Sequence, residues 1–214
     1  MHNSYLFRVE DLCYKVGDKE INSGVTFSVK KGELISIIGP NGSGKSTLLR
    51  LLSGELKPSS GKVIFKNKNI LDWDPLDIAC HRSILSQSNY LSFPFKVTDI
   101  IKMGRYPLLN NLYVNKKNDI EIIKELLELF ELESLSDRNY LTLSGGEKQR
   151  VQLARVFAQV WEIDKYQEKI IILDEPNSFL DIKYQMKLFE LIKEFNSKGM
   201  AFIMVLHNLN YAKY

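Results

Sequence analysis

Cysteine, proline and long apolar runs are all scarce in this 214-residue chain. The two cysteines, Cys13 and Cys80, stand far apart and match no metal-ligand spacing. That excludes a disulfide framework and a cysteine-based metal site, and both are read as reduced thiols of a cytosolic protein. No stretch approaches the roughly 20 apolar residues that a membrane-spanning helix needs. The longest runs are short ones such as Ile170 to Leu173 and Ala201 to Leu206. The start of the chain has no basic-then-apolar signal pattern, so any membrane role has to run through a partner. No charge of one sign dominates either: 29 basic against 26 acidic residues leave +3, too mild to argue for nucleic acid. Internal repeats and low-complexity tracts are absent.

What is present is enough apolar material, 44% of residues, for one globular unit with room for an inserted subdomain. From about Leu6 to Val29 the chain alternates, with turn residues at Gly17-Asp18 and Asn22-Ser23-Gly24, which predicts short antiparallel strands. Leu34 to Ile38 is a β-rich run that ends at a glycine loop, and Ser46 to Leu52 follows at helical spacing with Gly54 as its stop. The region from about Ser88 to Leu141 behaves differently. After Phe93-Pro94-Phe95 it carries a helical stretch, Asp119 to Phe130, with Ile123, Leu126, Leu127 and Phe130 on one face. An α/β pattern then resumes: a helix from Gly146 to Trp161, a buried strand from Lys169 to Leu173, and a helix from Ile182 to Phe195. The last has Met186, Phe189, Ile192 and Phe195 at core spacing, and a second buried strand, Ala201 to Leu206, follows. Buried strands alternating with helices imply a parallel sheet covered on both faces.

Two elements are built to receive phosphate. Gly39-Pro40-Asn41-Gly42-Ser43-Gly44-Lys45-Ser46 follows a strand and opens a helix. Its glycines turn backbone amides toward phosphate oxygens, Lys45 offers a cation, and Ser46 can hold Mg²⁺. Leu143-Ser144-Gly145-Gly146-Glu147-Lys148-Gln149-Arg150 places a serine and two glycines at a second helix start, where the positive dipole end attracts an anion. A capping serine with two glycines has the same appearance, and the two readings are compatible. A third element, Ile170 to Leu173 followed by Asp174 and Glu175, delivers adjacent carboxylates at a strand end, where open α/β sheets bind ligands. Asp174 would hold Mg²⁺ through water and Glu175 would polarise an attacking water.

Taken in order, with Gln87 between the first two motifs and Ser178-Phe179-Leu180-Asp181 and His207 after the third, this set resembles the nucleotide-binding subunit of ATP-binding cassette (ABC) transporters. The likeness covers nearly the whole chain. It implies an α/β P-loop NTPase core with a mostly parallel sheet, an N-terminal antiparallel β subdomain and an inserted α-helical subdomain. Residues 1–87 and 142–214 would form the core and 88–141 the insertion. It implies ATP and Mg²⁺ as ligands, with Gly39 to Thr47 around the phosphates and Ser46, Gln87 and Asp174 at the metal. Glu175, His207, Gln87 and Lys45 would carry catalysis. Tyr14 would stack on adenine, the alternative being an ordinary strand tyrosine. Ser144, Gly145 and Gly146 would contact the γ-phosphate bound to the opposite subunit. Asp181 would communicate across the dimer, although as a sequence feature it reads first as the N-cap of the helix from Ile182.

The resemblance further implies a second copy in a head-to-tail dimer sandwiching two ATP, transmembrane permease subunits, and a substrate-binding protein acting with them. The chain would then sit peripherally at the cytoplasmic face of the membrane. Ser92 to Asp99 and Met103-Gly104-Arg105-Tyr106-Pro107 are similar to importers of haem, iron-siderophores and vitamin B12, and the stretch Trp161 to Glu168 to the haem branch. The Gly104-Arg105 pair alternatively reads as a helix end with its basic residue facing the dipole. Two departures stand out. Asn177 occupies the position where the family has threonine, and the chain ends at Tyr214, soon after His207, which reads as a truncated C-terminal end. A non-transport ABC-type ATPase that remodels a nucleoprotein complex, and a nucleotide-gated module without turnover, are the competing readings. The former lacks its usual second cassette, coiled-coil insertion or zinc cysteines here.

Overall fold

The structure, a computed structural model, describes residues 5–87, 91–108, 116–161 and 168–206. Two four-stranded sheets form the frame. Strands β1 (Phe7–Val16) and β2 (Lys19–Val29) make an antiparallel hairpin, and β1 also pairs with β4 (Ser60–Phe65), which pairs with the short β5 (Lys68–Asn69). The turn falls at Gly17-Asp18 as expected, but Asn22-Ser23-Gly24 is not a turn. It lies inside β2, where the register slips opposite Leu12 and Tyr14 and the Gly24 N–H donates to Cys13 Sγ at 3.1 Å. A bulge uses turn-type residues for the same backbone reason that a turn does.

The second sheet is parallel, in the order β3 (Leu34–Ile38), β8 (Ala201–Leu206), β7 (Ile170–Asp174), β6 (Arg82–Leu85). Every residue of β7 and β8 is buried. Successive side chains leave a strand on opposite faces, and here the split is clean. Ile171, Leu173, Phe202, Met204 and Leu206 enter one apolar cluster, and Ile170, Ile172, Ala201, Ile203 and Val205 enter the other. Each of these side chains larger than alanine contributes about 1.5–3 kcal/mol by leaving water.

The two faces are covered by different material. Helix α1 (Lys45–Leu52) and the antiparallel sheet cover one. Helices α5 (Gly145–Val160) and α6 (Ile182–Ser197) cover the other, together with α3 (Val97–Met103) and α4 (Lys116–Leu129) of the middle region. Val97, Ile100, Leu126 and Leu132 therefore share a core with Phe157 and Phe195. Of the four residues expected at core spacing on α6, Phe189, Ile192 and Phe195 are buried, but Met186 is 38% exposed. A short helix, α2 (Pro75–Ala79), capped by Asp74, precedes β6.

Arg105 turns out to cap a helix other than its own. Its guanidinium is 3% exposed, donates to the Ala158 and Trp161 carbonyls at the end of α5 (2.8 and 3.0 Å), and pairs with Asp119 of α4 at 2.9 Å. One buried cation thus ties three helices, using the negative end of the α5 dipole. The residues 162–167 of the Trp161–Glu168 stretch lie outside the described residues.

Candidate functional site

Parallel register decides where the site is. Ile38 stands opposite Leu206, Asp174 opposite Val205, and Leu85 opposite Leu173, so β3, β8, β7 and β6 all finish at one sheet edge. The described segments that leave that edge are the glycine loop, Asp174-Glu175 and Ser86-Gln87. His207 itself lies outside the described residues.

The glycine loop delivers its amides by a conformation few residues can take. Gly44, the N-cap of α1, has φ +87, and a Cβ there would stand 2.8 Å from the Ile21 carbonyl oxygen. No side chain caps this helix, so the first-turn amides of Lys45, Ser46 and Thr47 begin α1 without a side-chain acceptor. Lys45 is 8% exposed, and its Nζ donates to the Gly39 and Pro40 carbonyls at 2.8 and 2.7 Å. An ammonium has three donors, and one remains for an anion. Ser43 N donates back to the Pro40 carbonyl at 3.3 Å and closes the loop. Asn22 Nδ2 lies 3.4 Å from the Gly44 carbonyl oxygen and braces the loop from β2.

Two adjoining cavities open here. One, of about 420 Å³, is walled by Ile21, Asn41, Gly42, Gly44, Lys45, Ser46, Thr47, Gln87 and Glu175. The other, of about 330 Å³, shares Ser46 and Gln87 with it and adds Asp174, Ser86 and Arg50. The hydroxyl, amide and carboxylate expected at a metal therefore meet at one boundary. Asp174 is buried at 6% exposure, and an oxygen-only donor set beside a phosphate loop suits a hard divalent cation. Glu175 leaves β7 with φ +48, and its Oε2 accepts from Ser178 Oγ at 3.3 Å. A left-handed non-glycine residue at such a place is strain of the kind that clusters at active sites.

The other expected residues are placed less centrally. Tyr14 lies opposite Asn22 in register and is half-buried, packing against the core under the hairpin rather than walling the cavity. Asp181 accepts from the Tyr184 N–H at 2.9 Å, so it is the N-cap of α6. Ser144 is the N-cap of α5 in a capping box: its Oγ accepts from Glu147 N at 3.3 Å, and its N–H donates to Glu147 Oε2 at 2.7 Å. That backbone bond, with the Ser144 hydroxyl, holds the Glu147 carboxyl below its ordinary range. The box takes up the amides of Ser144 and Glu147 and leaves those of Gly145 and Gly146 outside it. Ser144, Gly145 and Gly146 wall neither cavity. Residues that sequence reasoning left without a role include Ile21, Asn22 and Gln149, whose Nε2 donates to the Pro176 carbonyl at 3.0 Å. Nothing in their residue types marks them, because their part is set by what the fold puts beside them.

The family model described as ABC transporter matches residues 22–178. Among characterised relatives, the hemin import ATP-binding protein HmuV of Gloeobacter violaceus is 41% identical over 188 residues, covering 88% of this chain and 68% of that protein. The protein of the same name from Escherichia coli O157:H7 is 38% identical over 208 residues, covering 97% and 78%. A nucleotide-free ATP-binding cassette from an ABC transporter superposes with TM-score 0.79 at 27% identity, over 98% of this chain and 84% of that one. An ATP-binding subunit of an ABC transporter superposes with TM-score 0.84 at 24% identity, over 97% and 82%, a likeness of fold.

Proposed function

The chain belongs to the ABC transporter family, and we propose that it is the ATP-hydrolysing subunit of an importer of haem or a related metal chelate. The observation that carries the enzymatic part is the common edge. One parallel register brings the P-loop, Gln87, Asp174 and Glu175 together around two cavities that share Ser46. The chelate is supported by the relatives named for hemin import.

The roles follow from the side chains. Lys45 and the amides that open α1 bind the phosphates, and Ser46, Gln87 and Asp174 would hold Mg²⁺. The cation, when bound, neutralises phosphate oxygens. Glu175 orients water and takes up its proton, with His207, outside the described residues, as a further polar group toward the γ-phosphate and Tyr14, beyond the cavity wall, beside the adenine. Such chemistry is mostly positioning and charge neutralisation. Because Ser144, Gly145 and Gly146 lie outside the cavities of their own chain, they serve the nucleotide of a second copy, with Asp181 near the seam. Residues 88–141 act as an inserted helical subdomain between the two parts of the core, 1–87 and 142–214, and pass closure of the pair to membrane permease subunits. A binding protein delivers the chelate, and the chain works peripherally at the cytoplasmic face. Among the described residues no helix is long and apolar enough to cross a membrane.

Phosphate release by Glu175→Gln tests the chemistry. ATP binding should persist while turnover falls by about 10²–10⁴-fold, the range for a lost general base. Full turnover would remove Glu175 from that role. Haem uptake by cells carrying Lys45→Ala in place of the parent chain tests the cargo; unchanged haem uptake, with uptake of another solute lost, would overturn it.

A further inference from the structure

Asn22 stands in β2 opposite Tyr14, between two irregularities of the β1–β2 ladder. From Leu12 to Tyr14 the partner moves from Val25 to Asn22, and from Tyr14 to Lys15 it moves from Asn22 to Glu20. Each step places one extra residue on β2, and extra residues of this kind re-aim side chains beside active sites. Here they bring Ile21 and Asn22 onto the last glycine of the phosphate loop. A Cβ built on Gly44 would stand 2.8 Å from the Ile21 carbonyl oxygen and 3.0 Å from Asn22 Nδ2. Gly44 is the N-cap of α1 and immediately precedes Lys45.

As a core residue Asn22 is a poor choice. It is 8% exposed, and its Nδ2 reaches the Gly44 carbonyl only over a long 3.4 Å. Its Oδ1 is buried and has no hydrogen-bond partner among the described residues. A buried acceptor left unpaired takes more from stability than one long hydrogen bond returns. Such a break with good packing is expected where function needs the polar group. The bond that Asn22 does make falls on the Gly44–Lys45 peptide. The same carbonyl accepts from Leu48 N at 2.8 Å, in the first turn of α1. Donors on the carbonyl polarise the peptide and make its N–H, that of Lys45, a stronger donor. That N–H is one of those which α1 presents without a side-chain acceptor.

We propose that Asn22 is a positioning residue for nucleotide binding: it seats Gly44 against β2 and polarises the Lys45 amide toward a phosphate oxygen. The inference rests on the reading that the glycine loop holds the phosphates. The Lys45 amide meets those phosphates before and during hydrolysis alike, so Asn22 contributes to affinity and not to the chemical step. It acts at the phosphates, so its contribution does not depend on the base.

The test compares the parent full chain with Asn22→Leu, which keeps the branching at Cγ, and with Asn22→Ala. The Kd of MgATP should rise about three- to tenfold in both, the range of one hydrogen bond, with KM following it. The kcat should stay within about twofold of the parent, as when an interaction common to ground and transition states is removed. The Kd of MgGTP should rise by the same factor as that of MgATP. Without nucleotide, Asn22→Leu should melt at or above the parental temperature, because the unpaired oxygen is gone. If the larger leucine disturbs the fold, Asn22→Ala decides through the split of KM from kcat. Parental affinity in the variants, a fall in kcat as large as the rise in KM, or a loss confined to ATP would each overturn the proposal. An Asn22→Leu chain that melts lower and binds normally marks a packing residue and overturns it too. Lys45→Met is the control. If it also keeps parental affinity, the reading of the glycine loop fails; if it loses affinity while Asn22→Leu keeps it, only the role of Asn22 fails.

Discussion

Gln149 Nε2 donates to the Pro176 carbonyl at 3.0 Å, joining the second turn of α5 to the loop that follows Asp174 and Glu175. The bond crosses between an element that opens with Ser144 and one that opens with a candidate catalytic carboxylate. Gln149→Leu keeps the size of the side chain and removes the donor. The Pro176 carbonyl, buried with its residue, then loses its partner, at a cost of about 1–3 kcal/mol. Chemical denaturation should show that loss, and turnover should fall while single-chain ATP affinity is kept.

Lys45 is held by two loop carbonyls, so its loss affects more than charge. Lys45→Met keeps the apolar stem and removes the donors to Gly39 and Pro40. ATP affinity measured by calorimetry should fall at least about tenfold, equivalent to roughly 1.4 kcal/mol. The apparent melting temperature without nucleotide should change by only a few degrees, since the loop itself is largely exposed.

Arg105 is the most consequential structural cation. Arg105→Met leaves Asp119 and the last carbonyls of α5 without their buried partner, and breaking such a pair costs about 3–5 kcal/mol. Unfolding in urea should register a loss of that size. The double variant Arg105→Met, Asp119→Leu should recover part of it, because the uncompensated carboxylate is gone.

Acid sensitivity should centre on Glu131. Tyr184 donates to its carboxylate, Lys187 does so at 2.9 Å, and together they hold its pKa down at about 2. A depressed carboxylate contributes stability that is complete above its ordinary pKa near 4.5 and is lost as pH falls toward about 2. The side chain is 39% exposed, which keeps the effect small. Melting curves of the parent and Glu131→Gln should differ at pH 6, converge below pH 4.5 and coincide near pH 2. A difference that does not depend on pH would count against this account.

Much of the candidate site was legible because phosphate recognition needs local features: glycines where a backbone must turn, a lysine, a hydroxyl, and a buried strand ending in acids. Each of those words spans only a few residues and requires no long-range contact to be read. The same holds for Ser144 and Asp181, whose capping roles are set by the helix that each precedes. Reading failed where the outcome depended on a neighbour. Asn22-Ser23-Gly24 has turn chemistry but pairs through as a bulge, because β1 continues beside it. Met186 has core spacing, yet the sheet and α5 cover only part of that face of α6.

The sequence alone determined the phosphate loop, the paired carboxylates, the second helix start and the alternation that buries β7 and β8 on both faces. Tertiary structure alone decided that β8 lies between β3 and β7, which puts four strand ends at one edge although their strands are scattered along the chain. It alone decided that Arg105 caps α5 and that Phe179 rests on Gly145. The physical reason is range. Backbone conformation and capping are fixed by neighbours within a turn, whereas strand order and close approach are fixed by which apolar faces can be buried together.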